Sequence, residues 1–302
     1  MPILYTGPFH DSTRLCSDEK IDTHRVTAAS SYAKREPPDA NRVEPPVTRE
    51  PEISFVVPAF NEEALLPRCL DAIAAEIAES DVAAEIVVVD NASTDRTREI
   101  ALGTPGVRLV VEEERGLVPA RRAGYRAARG RLIANIDADT IIPEGWLERA
   151  IGEFARDSDL VGLSGPYVYY DSPRSVRAAA ACFYRCAFVA YLVVRFVMHA
   201  GSMMQGGNFI VRRDAIERAG GFESEFRFYG EDTDLARRLS KVGAVKFSFR
   251  LWALSSGRRF AGEGVVRVGL TYTANFFWAT FRKRPFTEVW EDYREENPID
   301  RQ

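Results

Sequence analysis

Ile86, Val87, Val88 and Val89 follow one another with no polar residue between them, and Asp90 closes the run. A strand of this kind has no side to turn to water, so it belongs inside a parallel sheet with helices packed on both faces. The surrounding sequence supplies such partners. Ile53, Phe55, Val56 and Val57 form another short β-branched and aromatic run, and residues 64–79 carry Leu65, Leu66, Cys69, Ile73 and Ile77 at helical spacing. Helical patterns over 94–102 and 119–128 alternate with strand patterns over 107–111 and 132–137. The order β-α-β-α-β-α-β predicts an α/β fold built on a Rossmann-like, doubly wound open sheet. Beyond Asp139 the rhythm changes to a helix over 146–156, a strand over 160–169, a long alanine and aromatic segment over 174–199, and an apolar stretch over 265–281.

The first 50 residues do not share this rhythm. They lack a sustained apolar period, and seven of the chain's 16 prolines lie at or before Pro51, a density that prevents regular hydrogen-bonded structure. Residues 1–50 therefore read as a disordered tail or linker, residues 51–260 as the folded domain, and residues 261–302 as an amphipathic helical extension. With 302 residues, 46% hydrophobic and 28% charged, the chain has the composition of a globular protein with a substantial core. Forty basic against 44 acidic residues leave a net charge of −4, so no global field draws it to nucleic acid.

Four scattered cysteines, with no leader-like apolar segment after Met1, predict a reducing, cytoplasmic setting. Cys182 and Cys186 are spaced i,i+4, but without a second pair they read as small buried hydrophobes rather than metal ligands. Nine apolar residues in a row, from Cys186 to Val194, are bracketed by Arg185 and Arg195, whereas about 20 are needed to cross a bilayer. This stretch and the one over 265–281, which is followed by Arg282, Lys283 and Arg284, could each lie on a membrane surface or form a core or dimer helix.

In an open parallel sheet, ligands bind beyond the carboxyl ends of the strands. Pro58, Phe60, Asn61, Glu62 and Glu63 follow the first run, Asp90 through Asp95 follow the second, and Asp137-Ala138-Asp139 leaves the fourth. No Gly-x-Gly-x-x-Gly follows the first strand and no Walker loop occurs, which argues against a dinucleotide oxidoreductase and a P-loop NTPase. Two carboxylates two residues apart at the end of a buried strand suit a hard divalent cation that keeps waters and phosphates in its shell. Alternatively, one of them caps the turn entering at Pro143 and Glu144. Gly230-Glu231-Asp232-Thr233-Asp234 opens a helical pattern, in which Asp232 is either an N-cap or a base at a pocket mouth. At a helix N-terminus its ionised form should be favoured. Gly206-Gly207-Asn208 and Gly220-Gly221-Phe222 predict tight backbone approaches.

Taken in order, these motifs resemble those of the family 2 inverting glycosyltransferases, nucleotide-diphospho-sugar transferases with the GT-A fold. The resemblance covers residues 53–260. It rests on Pro-x-x-Asn-Glu at 58–62, the acidic strand end at Asp90, Ala120-Arg121 with Gly124, the Asp-x-Asp at 137–139, and Gly-Gly-Phe at 220–222 followed by Glu231-Asp232. It implies a nucleotide-binding half over 51–140, an acceptor-binding half over 141–260, and C-terminal helices. Pro58, Phe60, Asn61 and Glu62 would line the nucleoside pocket, with Glu62 near the ribose. Asp90 would meet the base edge and Arg121 would sit by the nucleotide. Asp137 would face the ribose or the metal, and Asp139 would bind Mn²⁺ or Mg²⁺ against the diphosphate. Gly207, Arg258 and Arg259 would serve the acceptor or the diphosphate. Asp232 would be the general base and Glu231 its helper.

The sequence departs from the family pattern at Arg122, where many relatives have Asn, and in having no His after His199. Ser256-Gly257-Arg258-Arg259-Phe260 only echoes the Gln-x-x-Arg-Trp of processive members, so transfer of a single sugar is expected rather than polymerisation. The resemblance implies a hexosyltransferase-type displacement at the anomeric carbon, with inversion, onto a hydroxyl of a saccharide or a lipid-linked, cell-envelope acceptor. Lipid-linked acceptors are common in the family, which adds an expected peripheral contact with the inner face of a membrane. Two rival readings stand beside this one. A sugar nucleotidyltransferase would share the architecture but carry a glycine-rich phosphate loop after the first strand. A non-catalytic nucleotide-sugar-binding protein would have no use for both Asp139 and Asp232. If residues 1–48 are dispensable, a chain starting near Arg49 should unfold in one cooperative transition and keep its activity; calorimetry showing that transition lost would put the tail in the core.

Overall fold

Four strands, β1 (Ile53–Ala59), β2 (Ala84–Asp90), β3 (Val107–Val111) and β4 (Leu132–Ile136), run parallel, joined by the helices α1 (Leu66–Ala78), α2 (Thr97–Gly103) and α3 (Leu117–Ala127). The computed structural model describes residues 50–197, 203–222, 230–282 and Phe286. The sequence expectations for residues 1–49, for His199, and for Lys283, Arg284 and residues 287–302 fall outside the described residues. Every residue of β1 and β4 is buried, as strands without polar alternation require. Phe55, Leu66, Leu70 and Trp146 belong to one apolar layer, and Val56, Val87, Ala120 and Phe209 to another. Gly124 lets α3 lie directly on the sheet: a Cβ there would overlap Val56 Cγ1 and stand 3.0 Å from Val89 Cγ2.

Beyond β4 follow β5 (Thr140–Ile141), α4 (Trp146–Arg156), β6 (Leu160–Ser164), β7 (Tyr167–Tyr169) and α5 (Arg174–Leu192), which runs into a π-helical turn over Val193–Val197. Then come β8 (Asn208–Arg212), α6 (Arg213–Arg218), α7 (Glu231–Leu239), β9 (Ala244–Phe247), β10 (Ala253–Ser255), α8 (Arg258–Glu263) and α9 (Val265–Arg282). The main sheet has the order β3-β2-β1-β4-β8-β6-β9, with β8 antiparallel to both neighbours. A small second sheet has the order β5-β10-β7. The architecture is mixed α/β around a mostly parallel sheet, as the strand pattern predicts.

The structure departs from the sequence reading in three places. The strand expected over 160–169 is two strands, because Gly165 and Pro166 interrupt it. A Cβ at Gly165 would overlap the Leu251 carbonyl, and Pro166 has no N–H to continue a ladder. β6 stays in the main sheet, while β7 carries Tyr167 and Tyr169 into the small one. The strand β8 is absent from the sequence reading, in which Gly206-Gly207-Asn208 marks a tight backbone approach and no strand follows it. Cys182 and Cys186 are exposed rather than buried. The reason is the stripe that α5 buries, Ala180, Tyr184 and Tyr191, from which residues two positions further on point away. No helix among the described residues is long and apolar enough to cross a membrane.

Candidate active site

The ends of β1 and β2 are tied together by two turns in left-handed conformation, at Asn61 (φ 51°) and Ala92 (φ 58°). Asn tolerates that region because its short polar side chain can hydrogen-bond locally. Here Asn61 Oδ1 accepts from the Thr94 amide at 2.8 Å, and the Asn61 amide donates to Ser93 Oγ at 3.1 Å. The Glu62 amide donates to Thr97 Oγ1 at 2.8 Å. Asp90 is fully buried and accepts from Arg98 Nε at 2.7 Å and from the Ser93 amide. The Arg115 guanidinium lies 4.1 Å from the Phe60 ring centre, and Pro58 pairs with Val89 across the strands. Pro58, Phe60, Asn61, Glu62 and Asp90 thus share one corner at the carboxyl edge of the sheet.

Asp137 and Asp139 leave β4 in a turn closed by the Thr140 amide donating to the Asp137 carbonyl at 2.9 Å. Arg258 reaches across from α8, pairing with Glu62 and, at 3.2 Å, with Asp139. Burial works against the charge of Arg258, but the carboxylates of Asp139 and Glu62 outweigh it and hold the guanidinium more firmly protonated. The Cys69 thiol, beside the Asp137 carbonyl, is pushed up by burial and further by Asp139, Asp137 and Glu62. Three carboxylates therefore concentrate negative charge at this corner. Asp137 and Asp139, two oxygen donors from one turn, fit a hard divalent cation. Among the described residues no group of three or more metal-ligating side chains is assembled, so such an ion would take further ligands from phosphate or water.

Arg121, on α3, is 1% exposed. It donates to Asp137 Oδ1 at 3.1 Å and pairs with Glu231 at the start of α7. Gly206 and Gly207 press against this cluster: a Cβ on Gly206 would stand 3.2 Å from Arg121 Nη2 and 3.5 Å from Asp232 Oδ2, and one on Gly207 would overlap the Asp137 carboxylate. Gly230, in left-handed conformation, occupies the N-cap of α7. Asp232 therefore lies in the first turn and is not the N-cap; its Oδ1 accepts from the Thr233 amide at 2.7 Å. The helix terminus favours the ionised form of Asp232, and burial acts in the opposite direction. Burial raises its pKa above the usual carboxylate range, against the opposing pull of Arg121 and of the Thr233 amide.

Asp232, Arg121, Asp137 and Gly207 open onto one cavity of about 680 Å³. Arg259 lines it as well, and its side chain bonds to Glu263 and Tyr272, both at 3.0 Å. Asp234 belongs to a local ion cluster with Arg237 and Arg238. Tyr169, Tyr184 and Tyr272, absent from the sequence reading as site residues, complete the wall, and Tyr167 contacts Asp137. Tyr167 donates to Asp137 Oδ2 at 3.4 Å, and Tyr184 donates to Gln205 Oε1 at 3.0 Å. The i,i+2 spacing of Tyr167 and Tyr169 places both on one face of a strand, which is the signal that could have found them.

The sequence profile of glycosyl transferase family 2 matches residues 54–220, and the chain belongs to that family. Its fold is of the GT-A type. A mannosyltransferase from Pyrobaculum calidifontis, solved in complex with GDP-Man and Mn²⁺, superposes with a TM-score of 0.52 at 26% identity, covering 73% of this chain and 63% of that one. Glycosyltransferase AglE of Haloferax volcanii is 27% identical over 199 residues, which are 64% of this chain and 62% of the relative. An undecaprenyl-phosphate 4-deoxy-4-formamido-L-arabinose transferase of Pseudomonas aeruginosa is 34% identical over 116 residues, 36% of this chain and 34% of the relative. The chain thus spans less than two thirds of the length of these curated relatives.

Breaking the Arg121 cluster leaves Glu231 buried without its cation. Arg121→Met should therefore lower stability by about 3–5 kcal/mol, read as an earlier midpoint in urea unfolding at unchanged slope. A loss under about 1 kcal/mol would show that solvent already compensates these charges.

Proposed function

We propose that the chain is an inverting glycosyltransferase that moves one sugar from a nucleotide-diphospho-sugar to an acceptor hydroxyl, with Asp232 as general base. The observation that carries this reading is the joining of Asp137 and Glu231 through buried Arg121, with Asp232 facing the same cavity. In this reading Pro58, Phe60, Asn61, Glu62 and Asp90 hold the nucleoside, and Arg121 sits by the nucleotide. Asp139, with Asp137, would hold Mn²⁺ or Mg²⁺, which when bound neutralises charge on the leaving diphosphate. Arg258, already at Asp139, meets the same phosphates as a fixed cation.

The acceptor oxygen forms its bond to the anomeric carbon as the bond from that carbon to the diphosphate oxygen breaks. The electron pair leaves with the nucleoside diphosphate, and the hydroxyl proton passes to the Asp232 carboxylate. A single displacement inverts the anomeric centre. Glu231, held by Arg121, positions the first turn of α7 beneath Asp232. The acceptor is a saccharide or a lipid-linked head group. For the membrane-facing side of a cytoplasmic protein, α5 with its π-helical turn and α9 are suited by composition: they carry six arginines and no acidic residue, against a net charge of −4 for the whole chain.

Asp139→Ala should abolish the cation dependence of nucleoside diphosphate binding in calorimetry; equal affinity of the unaltered chain with and without EDTA would remove the metal from the site. Asp232→Asn keeps size and hydrogen-bonding capacity but not basicity. It should leave folding and nucleotide binding intact while lowering turnover by roughly 10²-fold or more. Because burial raises the Asp232 pKa, and only the deprotonated form accepts a proton, turnover should fall as pH drops through that raised value, at a higher pH than an ordinary carboxylate would set. Turnover of the variant within a few-fold of the unaltered chain would reject Asp232 as the base.

A further inference from the structure

The cavity that ends at Asp232 is chemically two-sided. Its inner end holds Arg121, Asp137 and Asp232, whereas the part between α5 and α9 is lined by groups such as Ala180, Phe183, Ala187, Val268 and Phe276. Val266, Leu270 and Phe277 line it too, yet are 77%, 66% and 40% exposed. Apolar lining thus reaches from the polar end of the cavity to the molecular surface, with Tyr272, Thr273 and Asn275 as the polar groups of α9 beside it, and an exposed apolar patch of this kind marks a binding site.

Gly269 shows that this space is not demanded by the protein's own packing. It sits inside α9, where glycine is among the poorest helix formers. A Cβ there would meet only Phe183 Cδ2, at 3.9 Å, and Gly269 lines the cavity. A larger side chain would fit the helix and intrude on the channel. A free sugar would find few hydrogen-bonding groups along such a wall, whereas an aliphatic chain would lose no solvation by entering it.

We propose that the acceptor is an amphiphile, a hydroxyl-bearing polar head at Asp232 carried on a long aliphatic or isoprenoid chain that lies between α5 and α9 and leaves past Val266 and Leu270 toward a membrane. This deepens the glycosyltransferase reading and rests on it for the role of the head group. The arginines of α5 and α9, unaccompanied by acidic residues on those helices, suit the anionic surface from which such a lipid is taken.

Two exposed cysteines on α5 provide the test in the full chain. Cys186 lines the cavity, and Cys182 is exposed without lining it. Alkylation of each by iodoacetamide is followed by peptide mass spectrometry in the presence of butyl, octyl, decyl or dodecyl β-glucoside, each kept below its micellar concentration. Expected is slowing of Cys186 by about threefold or more, growing with chain length, with Cys182 unaffected and free glucose inert. Gly269→Trp should abolish that protection while keeping the cooperative melt of the parent; Gly269→Ala should retain it. Protection by glucose alone, protection independent of chain length, or equal slowing of both cysteines would overturn the proposal. So would Cys186 slowing that needs no glucoside and grows with protein concentration, which would make a second copy of the chain the occupant. None of these readouts uses a donor or turnover, so a failure here is distinct from a failure of Asp232 as the base.

Discussion

A guanidinium that is 1% exposed can be kept in a protein interior only if carboxylates surround it, since desolvating an unpaired charge costs several kcal/mol. Arg121 meets that condition with Asp137 from the end of β4 and Glu231 from the start of α7. Three elements remote in sequence are thereby held at one point, and the residues beside them inherit their positions from it. Asp232 adjoins Glu231, and Asp139 lies two residues beyond Asp137. The burial that makes Arg121 dependent on its partners also raises the pKa of Asp232, so the ionic cluster and the tuning of the candidate base have one physical origin.

The second half of the molecule is attached through the reversed strand β8. The carbonyl of Gly207 accepts from the Asp137 amide at 3.2 Å, and only glycine allows that approach, because a Cβ would occupy the space of the Asp137 carboxylate. Asn208, fully buried, satisfies its side chain completely enough to be stable there. It accepts from Trp146 Nε1 at 3.2 Å and donates to the carbonyls of Gly165 and Leu251. The same contacts fix the break between β6 and β7, which delivers Tyr167 to Asp137.

The C-terminal elements close the site from the far end of the chain. Arg258 spans a separation of 196 residues to reach Glu62, joining α8 to the first loop after β1, while α9 packs on α5, α7 and α8. Two helices rich in apolar and arginine side chains thus line the cavity and expose Val189, Leu192, Val266 and Leu270 beside Arg185 and Arg267.

Much of this was legible in the sequence where the signal is local. Unbroken apolar runs such as Ile86 to Val89 can only be interior parallel strands, and polar residues directly after such runs must lie at the sheet's carboxyl edge. The corner formed by Asn61, Glu62, Asp90, Asp137 and Asp139 follows from those two facts. What the sequence could not decide depends on contacts between distant residues. That β8 runs antiparallel, that Tyr167 turns onto Asp137, that Arg258 meets Asp139, and that Asp232 sits in the first turn of α7 beside the Arg121 cluster all rest on long-range packing. No periodicity encodes which elements meet, because pairing and burial are settled by the free energy of the whole assembled core.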